Sequence, residues 1–384
     1  MTMFGLVENN KGVSFPLIRD GFNVPFEMQG FMVAMLSLAY VASNIIAGIF
    51  LGRFGIKPAV FAGYSAIVMG TALVFFTPGF LSTTAALFVL FGGFGFLDIG
   101  MNALASKVFV ANAALLMNLL HSFYGIGSII APGAAGFVVN STNFDWRFAY
   151  LFSLPIVLLL IVLAIVTRFP KDEGGITENV VGASAAVERG GFFDAVKNPM
   201  VWRLALALGL ALIIESKTAN WGPLYFQDVH GIDPATEGAI FLSAFFLLFT
   251  ISRLVCGPFI ERIGYVKSLL GVTCMALVVL IVGFSMGAKG IFVLPALGFL
   301  VALFWPTLMA VAIVCFGKNA PVYGGATIAL AGLVNTAGQF LVGLTNRVIG
   351  PAWGYRSSIV YTVLMIFSLL LLYKNLKRRK VRKI

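Results

Sequence analysis

The sequence GIFLGRFGIK (residues 48–57) recurs as GPFIERIGYVK (residues 257–267), with two glycines, one phenylalanine and the arginine displaced by 209 positions. The pair Trp-Arg at 146–147 has a counterpart at the same displacement, Tyr-Arg at 355–356. Two matches in register over so much of the chain predict that it consists of two related halves.

A third match places an acidic residue at the same point in each half. Glu8 lies eight residues before Pro16, and Glu215 lies eight residues before Pro223. A long polar stretch separates the two halves. The sequence therefore predicts a six-helix bundle at 1–167, a linker at 168–200, a second six-helix bundle at 201–373 and a basic tail at 374–384.

The composition is that of a multi-pass integral membrane protein. Hydrophobic residues make up 60% of the chain and charged residues only 11%, against about 25% charged in soluble proteins. The mean hydropathy is +0.98. Segments of about 20 apolar residues, enough to span a bilayer as a helix, occur at 1–19, 29–52, 57–78, 82–105, 112–138, 147–167, 201–226, 235–259, 266–287, 291–316, 322–346 and 355–373.

The distribution of positive charge predicts the orientation of these twelve segments. Of the 26 Lys and Arg residues, 19 fall on the side that holds both termini and five on the opposite side. Because cytoplasmic loops carry the excess of positive charge, both termini are predicted to be cytoplasmic, in a bacterial cytoplasmic (inner) membrane. The net charge of +11 then reflects topology and contact with anionic lipid, and not nucleic-acid binding.

Three acidic residues fall inside predicted membrane helices: Glu8, Asp98 and Glu215. An ionised acid at the centre of a membrane helix costs about 2.5–3.5 kcal/mol, so such acids are usually functional, paired or protonated. Glu8 and Lys11 are three residues apart and can neutralise each other on one helical face. Glu215 and Lys217 are two apart and point in different directions, so a local pair does not explain the acid of the second half.

A proton carrier must be neutral when it faces one side of the membrane and ionised when it faces the other. Desolvation raises a carboxyl pKa and a nearby cation lowers it, so relative movement of the halves can load and unload a proton. Asp98 is the first candidate for this role and Glu8 the second, followed by Glu215. His121 is predicted to lie in the same half of the membrane as Asp98 and could hydrogen-bond to it. It is a further candidate for proton coupling, although a lone intramembrane histidine more often joins two helices by a hydrogen bond.

Polar and aromatic side chains near the predicted centre could bind a hydrophilic solute or knit the helices together. Asn335 and Gln339 share a face of one helix, as do Lys217 and Trp221 of another. The candidates are Asn9, Asn10, Lys11, Asn102, Asn118, Tyr124, Lys217, Asn220, Trp221, Trp305, Asn335 and Gln339. The sequence contains no metal-ligand spacing, nucleophile–base arrangement or phosphate-binding glycine loop, which argues against an enzyme.

The six-plus-six arrangement and the repeated loop resemble the major facilitator superfamily. That family's loop signature, Gly-x-x-x-Asp-Arg-x-Gly-Arg-Lys, has Gly52 in place of the acid in the first copy, whereas the second copy keeps Glu261, Arg262 and Gly264. The resemblance implies an all-α membrane protein of twelve helices in two six-helix pseudo-repeats that works by alternating access. It also implies gating roles for Arg53, Lys57, Glu261 and Arg262.

A narrower resemblance is to the fucose permease branch of proton-coupled sugar symporters. The segments that carry it are VENNKGVSFPLI (7–18), GFGFLDIGMNALASKVF (93–109) and NLLHSFYGIGSIIAPGAAG (118–136). In that branch an acid is followed four residues later by Asn, here Asp98 and Asn102. The resemblance implies proton-coupled symport of a monosaccharide, with H+ as coupling ion, no cofactor and a monomer as the working unit.

Three other functions remain open from the residues. The solute could be an organic anion or sugar acid bound by Lys11 and Lys217, or the chain could be a drug/proton antiporter. Outside transport, it could be a sensor or scaffold that keeps the fold without moving a solute.

Overall fold

The computed structural model of the protein describes residues 1–108, 113–143, 145–169 and 191–378. Within these ranges the regular structure is helical. The helices are α1 Thr2–Glu8, α2 Lys11–Phe22, α3 Phe26–Phe54, α4 Ile56–Phe76, α5 Phe80–Val108, α6 Ala113–Ser141, α7 Phe148–Leu151, α8 Leu154–Val166, α9 Gly191–Lys197, α10 Pro199–His230, α11 Glu237–Val255, α12 Gly257–Ile263, α13 Tyr265–Ser285, α14 Ala296–Val301, α15 Phe304–Phe316, α16 Ala320–Ile349, α17 Pro351–Arg356 and α18 Ser358–Arg378.

The first predicted membrane segment is two helices, α1 and α2, which meet at Asn9 and Asn10. Eleven further spans in the described part of the chain are long and apolar enough to cross a membrane, which completes the twelve that the sequence predicts. The interruption has a local cause, because Asn side chains compete with the backbone for hydrogen bonds. The amide of Asn9 donates to the Gly5 carbonyl oxygen at 3.0 Å.

The tenth membrane segment is also interrupted. α14 ends at Val301 and α15 begins at Phe304, with Ala302 and Leu303 between them. The interruption frees the carbonyl oxygen of Ala302 for contacts outside its own helix, since the carbonyls that end a helix have no partner within it.

Each half of the chain builds its own hydrophobic core. One core consists of buried residues between Met200 and Leu376. The other consists of buried residues between Met3 and Val157, joined by Trp221, Leu224 and Val342 from the second half. These three residues mark where the second half packs onto the first.

The halves meet through α3 with α16, α6 with α11, and α2 with α10. The first two contacts are equivalent under the repeat. In the first, Gly30 of α3 lies against Gly343 of α16, and a Cβ atom added at Gly30 would lie 2.8 Å from the Cα atom of Gly343. Glycine is therefore required there for the close approach of two backbones.

Charged side chains join the halves at the end of the bundle where α2 and α10 finish, which the sequence predicts to be the outer end. The Arg19 guanidinium donates to both carboxylate oxygens of Asp228, at 2.5 and 2.7 Å. Gln227 donates to Asp20 at 2.7 Å. A second pair, Arg347 with Glu27 at 3.1 Å, joins α16 to α3. In this structure the predicted outer end is closed.

The four residues predicted to act in gating lie at the opposite end of the bundle. Lys57 donates to the carbonyl oxygens of Ile165 and Thr167 at 3.1 and 3.3 Å, so it caps the end of α8 in its own half. Tyr265 donates a hydrogen bond to Glu261. Arg53 and Arg262 are exposed.

Candidate functional site

Glu8 is held in a hydrogen-bonded group at the interruption between α1 and α2. Its carboxylate pairs with Lys11 at 3.0 Å and accepts a hydrogen bond from the hydroxyl of Tyr124 at 2.6 Å. Asn9 lies beside it and donates to the hydroxyl oxygen of Ser128 at 3.0 Å. The acid and its cation are about one-fifth exposed, with side-chain exposures of 20% and 16%. This ion pair is the neutralisation that the three-residue spacing predicts.

Asn10 lies next to this group in sequence but points elsewhere. It is fully buried, and its amide donates to the Ala149 carbonyl oxygen of α7 at 2.5 Å. Its own oxygen has no partner among the described residues. In this conformation Asn10 fixes the helix interruption against α7 and does not join the group around Glu8.

Asp98 of α5 is bound by two neutral donors. The Tyr40 hydroxyl of α3 donates to one carboxylate oxygen at 2.7 Å, and the Asn102 amide donates to the other at 2.9 Å. Asp98 and Asn102 are four residues apart, so this bond is a contact on one helical face. Asp98 and His121 are both among the described residues, and the structure shows no hydrogen bond between them, which the sequence left possible. The charges of the two residues interact at longer range.

Glu215 of α10 has no hydrogen bond or ion pair with any residue that the structure describes, and it is partly exposed. Its charge interacts with those of Arg253, Glu8 and Lys11. The equivalent acids of the two repeats therefore lie close enough to influence each other, one paired with a lysine and the other free.

Arg253 is a site residue that sequence reasoning missed. It was counted with the positive charge of the inner loops, yet it lies in α11 and its charge interacts with those of Glu215 and His121. Its guanidinium lies over the ring of Phe249, with the central carbon 4.3 Å from the ring centroid, and the residue is exposed. The available signal was its position inside the apolar segment 235–259, where an arginine is as unusual as an acid.

Lys217 points away from the other charged residues. It is completely buried, donates to the hydroxyl of Ser357 at 2.6 Å and lies 4.6 Å from the ring centroid of Tyr361 in α18. It therefore belongs to the packing between α10 and α18 in this structure, and the structure does not bring it together with Lys11.

A chain of hydrogen bonds links three further predicted solute-binding residues. Trp221 donates to the side-chain oxygen of Gln339 at 3.0 Å, and Gln339 donates to that of Asn335 at 3.1 Å. Trp221 and Gln339 are buried, so this chain joins α10 to α16, with Asn335 alone partly exposed.

The remaining predicted solute-binding residues differ in how exposed they are. Asn220 is 4% exposed, and its oxygen lacks a partner among the described residues. Trp305 is 42% exposed at the start of α15. The side chain of Asn118 lies outside the residues that the structure describes.

The site thus consists of partly exposed polar groups from both halves, around Glu8, Asp98, His121, Glu215 and Arg253. Ionisable groups at mid-membrane depth that face solvent can exchange protons and bind polar solutes.

Comparison with known proteins gives matches over most of the chain. The family model described as Major Facilitator Superfamily matches residues 1–341. The L-fucose-proton symporter of Escherichia coli (strain K12) is 22% identical over 405 residues, covering 95% of this chain and 90% of the relative. A crystal structure of the E. coli fucose:proton symporter superposes with a TM-score of 0.65 at 16% identity, covering 97% of this chain and 96% of the other. A bacterial homologue of the human lysosomal transporter Spinster, in an inward-facing and unoccupied conformation, gives a TM-score of 0.71 at 14% identity, covering 97% and 95%.

Proposed function

The chain belongs to the Major Facilitator Superfamily and is a multi-pass membrane transporter, not an enzyme; on this premise we propose that it is a proton-coupled symporter of a small hydrophilic solute of monosaccharide size. It would work as a monomer in a bacterial cytoplasmic membrane with both termini in the cytoplasm. The L-fucose-proton symporter, which this chain resembles at 22% identity, supports both the coupling ion and the size of the solute.

The environment of Asp98 is the observation that carries this proposal. It is a partly exposed acid whose oxygens accept from the neutral groups of Tyr40 and Asn102, and no cation lies within 4.0 Å of it among the described residues. Glu8, by contrast, has a lysine at 3.0 Å. An acid without a fixed cation can gain and lose a proton as its surroundings change, which is the property that coupling requires.

Alternating access is supported by the contacts between the halves. The pairs Arg19–Asp228 and Arg347–Glu27 close the predicted outer end, while the acids of the site remain partly exposed. From this combination we infer an inward-open state. Rocking of the halves would break the outer contacts and expose the same acids to the other side.

The site weighs against two of the alternatives that the sequence leaves open. Binding of an anion between Lys11 and Lys217 is disfavoured because Lys217 is buried against α18 and Lys11 already has a carboxylate partner. Antiport of amphipathic drugs is disfavoured by the number of charged and hydrogen-bonding groups at the centre, whose desolvation an apolar solute would not offset.

Uptake into proteoliposomes tests the proposal and the remaining alternative, a scaffold that moves nothing. Vesicles with the purified full chain are given an inward proton gradient and offered radiolabelled monosaccharides and sugar acids. A symporter accumulates at least one of them above the external concentration, and a protonophore abolishes the excess. Equal levels in protein-containing and protein-free vesicles for the whole panel would contradict the proposal.

A further inference from the structure

Arg253 presents hydrogen-bond donors that the protein leaves unused. An arginine has five N–H donors, and the partner found in the described part of the chain is the carbonyl oxygen of Ala302, which accepts from Nε at 3.4 Å. No carboxylate of a described residue lies within 4.0 Å of it. The terminal N–H groups therefore have no hydrogen-bond acceptor among the described residues.

This guanidinium lies at the seam between the halves. Thr250, one turn before Arg253 on α11, packs against Gly125 of α6, where a Cβ atom would collide with the threonine hydroxyl. His121 lies one turn from Gly125 in the corresponding direction along α6, and its charge interacts with that of Arg253. A solute held by Arg253 would thus touch the C-terminal half beside the contact with the N-terminal half, where transporters with repeats bind their substrates.

An exposed aromatic ring lies close in sequence to the residue that Arg253 contacts. Trp305 follows Ala302 by three residues across the interruption between α14 and α15, and it is 42% exposed. Indole rings supply large amphipathic surfaces that suit the C–H face of a pyranose. The combination of a free guanidinium and an exposed indole fits a solute with both an anionic group and a sugar ring.

We propose that Arg253 binds the carboxylate of the transported solute, which is a sugar acid such as a hexuronate, and this rests on the symport function proposed above. The guanidinium matches a carboxylate in shape and can bind it through two parallel hydrogen bonds. The charge of Glu215, which has no partner among the described residues, interacts with that of Arg253. Its negative potential disfavours a dianionic phosphate ester more than a monoanionic carboxylate. Neither lysine competes for the role, because Lys11 is paired and Lys217 is turned to α18.

Thermal-shift titration of the purified full chain tests this assignment. The panel pairs D-glucuronate and D-galacturonate with D-glucose and D-galactose, and includes D-glucose 6-phosphate. The uronates should raise the melting temperature at lower concentration than the matching hexoses. Arg253→Gln should weaken uronate binding by about 10- to 100-fold, the usual range for a lost charge-assisted hydrogen bond. Arg253→Lys should weaken it less, and Arg378→Gln, which removes an exposed guanidinium at the end of α18, should leave it unchanged.

Three outcomes overturn the inference: hexoses that bind as well as uronates, a sugar phosphate that binds more tightly than either, or uronate binding that Arg253→Gln leaves intact. The melting temperature of Arg253→Gln without solute shows whether the variant is folded, and Arg253→Lys provides the test if it is not. Proton-driven uptake in the same vesicles separates the two proposals. Accumulation of hexoses alone would keep symport and remove the sugar-acid assignment, whereas uronate binding without accumulation of any solute would keep the assignment and remove symport.

Discussion

Replacing Asp228 by Asn should shift the transporter toward a state that is open at the predicted outer end. In the structure both carboxylate oxygens of Asp228 accept from Arg19, at 2.5 and 2.7 Å, and join α2 to α10. Asn keeps the shape of Asp but removes its charge and replaces one acceptor by a donor. The interaction holds the halves together only while this end is closed, so its loss destabilises the closed state selectively.

The expected change in the ratio of open to closed molecules follows from how deeply Arg19 and Asp228 are buried. The two side chains are 12% and 16% exposed, which places the pair between fully exposed ion pairs, worth about 0–1 kcal/mol, and fully buried ones, where loss of a partner costs about 3–5 kcal/mol. A value of about 2 kcal/mol corresponds to a shift of about 30-fold in the ratio of open to closed molecules. The pair Arg347–Glu27 provides a matched control, because Arg347 is 63% exposed and its loss should change the ratio by at most about 5-fold.

Distances between spin labels at the predicted outer end measure this ratio. Suitable label positions are Leu81 at the start of α5, which is 62% exposed, and Lys289, which is also exposed, in a chain whose three native cysteines are replaced by Ser. Asp228→Asn should move population from the short-distance to the long-distance component far more than Arg347→Gln does. A distance distribution in Asp228→Asn that equals that of the unmutated chain would refute the assignment of this pair as the outer closure.

Three further substitutions have defined outcomes. Glu8→Gln leaves a lysine unpaired in a mostly buried position and should lower stability by about 1–3 kcal/mol, measured as the detergent melting midpoint; an unchanged midpoint would show that the pair adds nothing. Lys217→Met removes a buried amine that has no carboxylate partner among the described residues, so it should leave the protein equally stable or more stable, with uptake retained. Loss of uptake at unchanged stability would return Lys217 to the transport site. Gly30→Ala forces apart the α3 and α16 backbones, because the added Cβ would lie 2.8 Å from Gly343. It should reduce uptake about 10-fold or more relative to the control Gly92→Ala, where the added Cβ has nothing within 4 Å. Equal uptake by the two variants would show that the contact is dispensable.

The sequence was sufficient for the helices because their signal is local. Apolar length set the spans, and the predicted segments 29–52 and 201–226 became Phe26–Phe54 and Pro199–His230. The interruption at Asn9 and Asn10 was not predicted, since the apolar residues on both sides read as one segment. What stops the helix there is the hydrogen bonding of the Asn side chains and the packing of Asn10 against α7.

The site was harder to predict because it depends on how each helix is rotated about its axis. Spacing alone correctly paired Glu8 with Lys11, since this contact spans only three residues of the chain. It could not show that Lys217 faces α18, because contacts between helices decide that. Arg253 was overlooked because it lies near the end of its segment, where an arginine is usually a charge of the adjoining loop, although its position inside the apolar segment 235–259 was a signal.

Counterflow and uphill uptake by Asp98→Asn test the central claim most directly, since Asn keeps the hydrogen bond from Tyr40 but cannot carry the proton. In proteoliposomes with an inward proton gradient, the unmutated chain should concentrate the solute. The variant should exchange labelled for unlabelled solute at a comparable rate and stop at the external concentration. Accumulation by Asp98→Asn to the level of the unmutated chain would contradict the account.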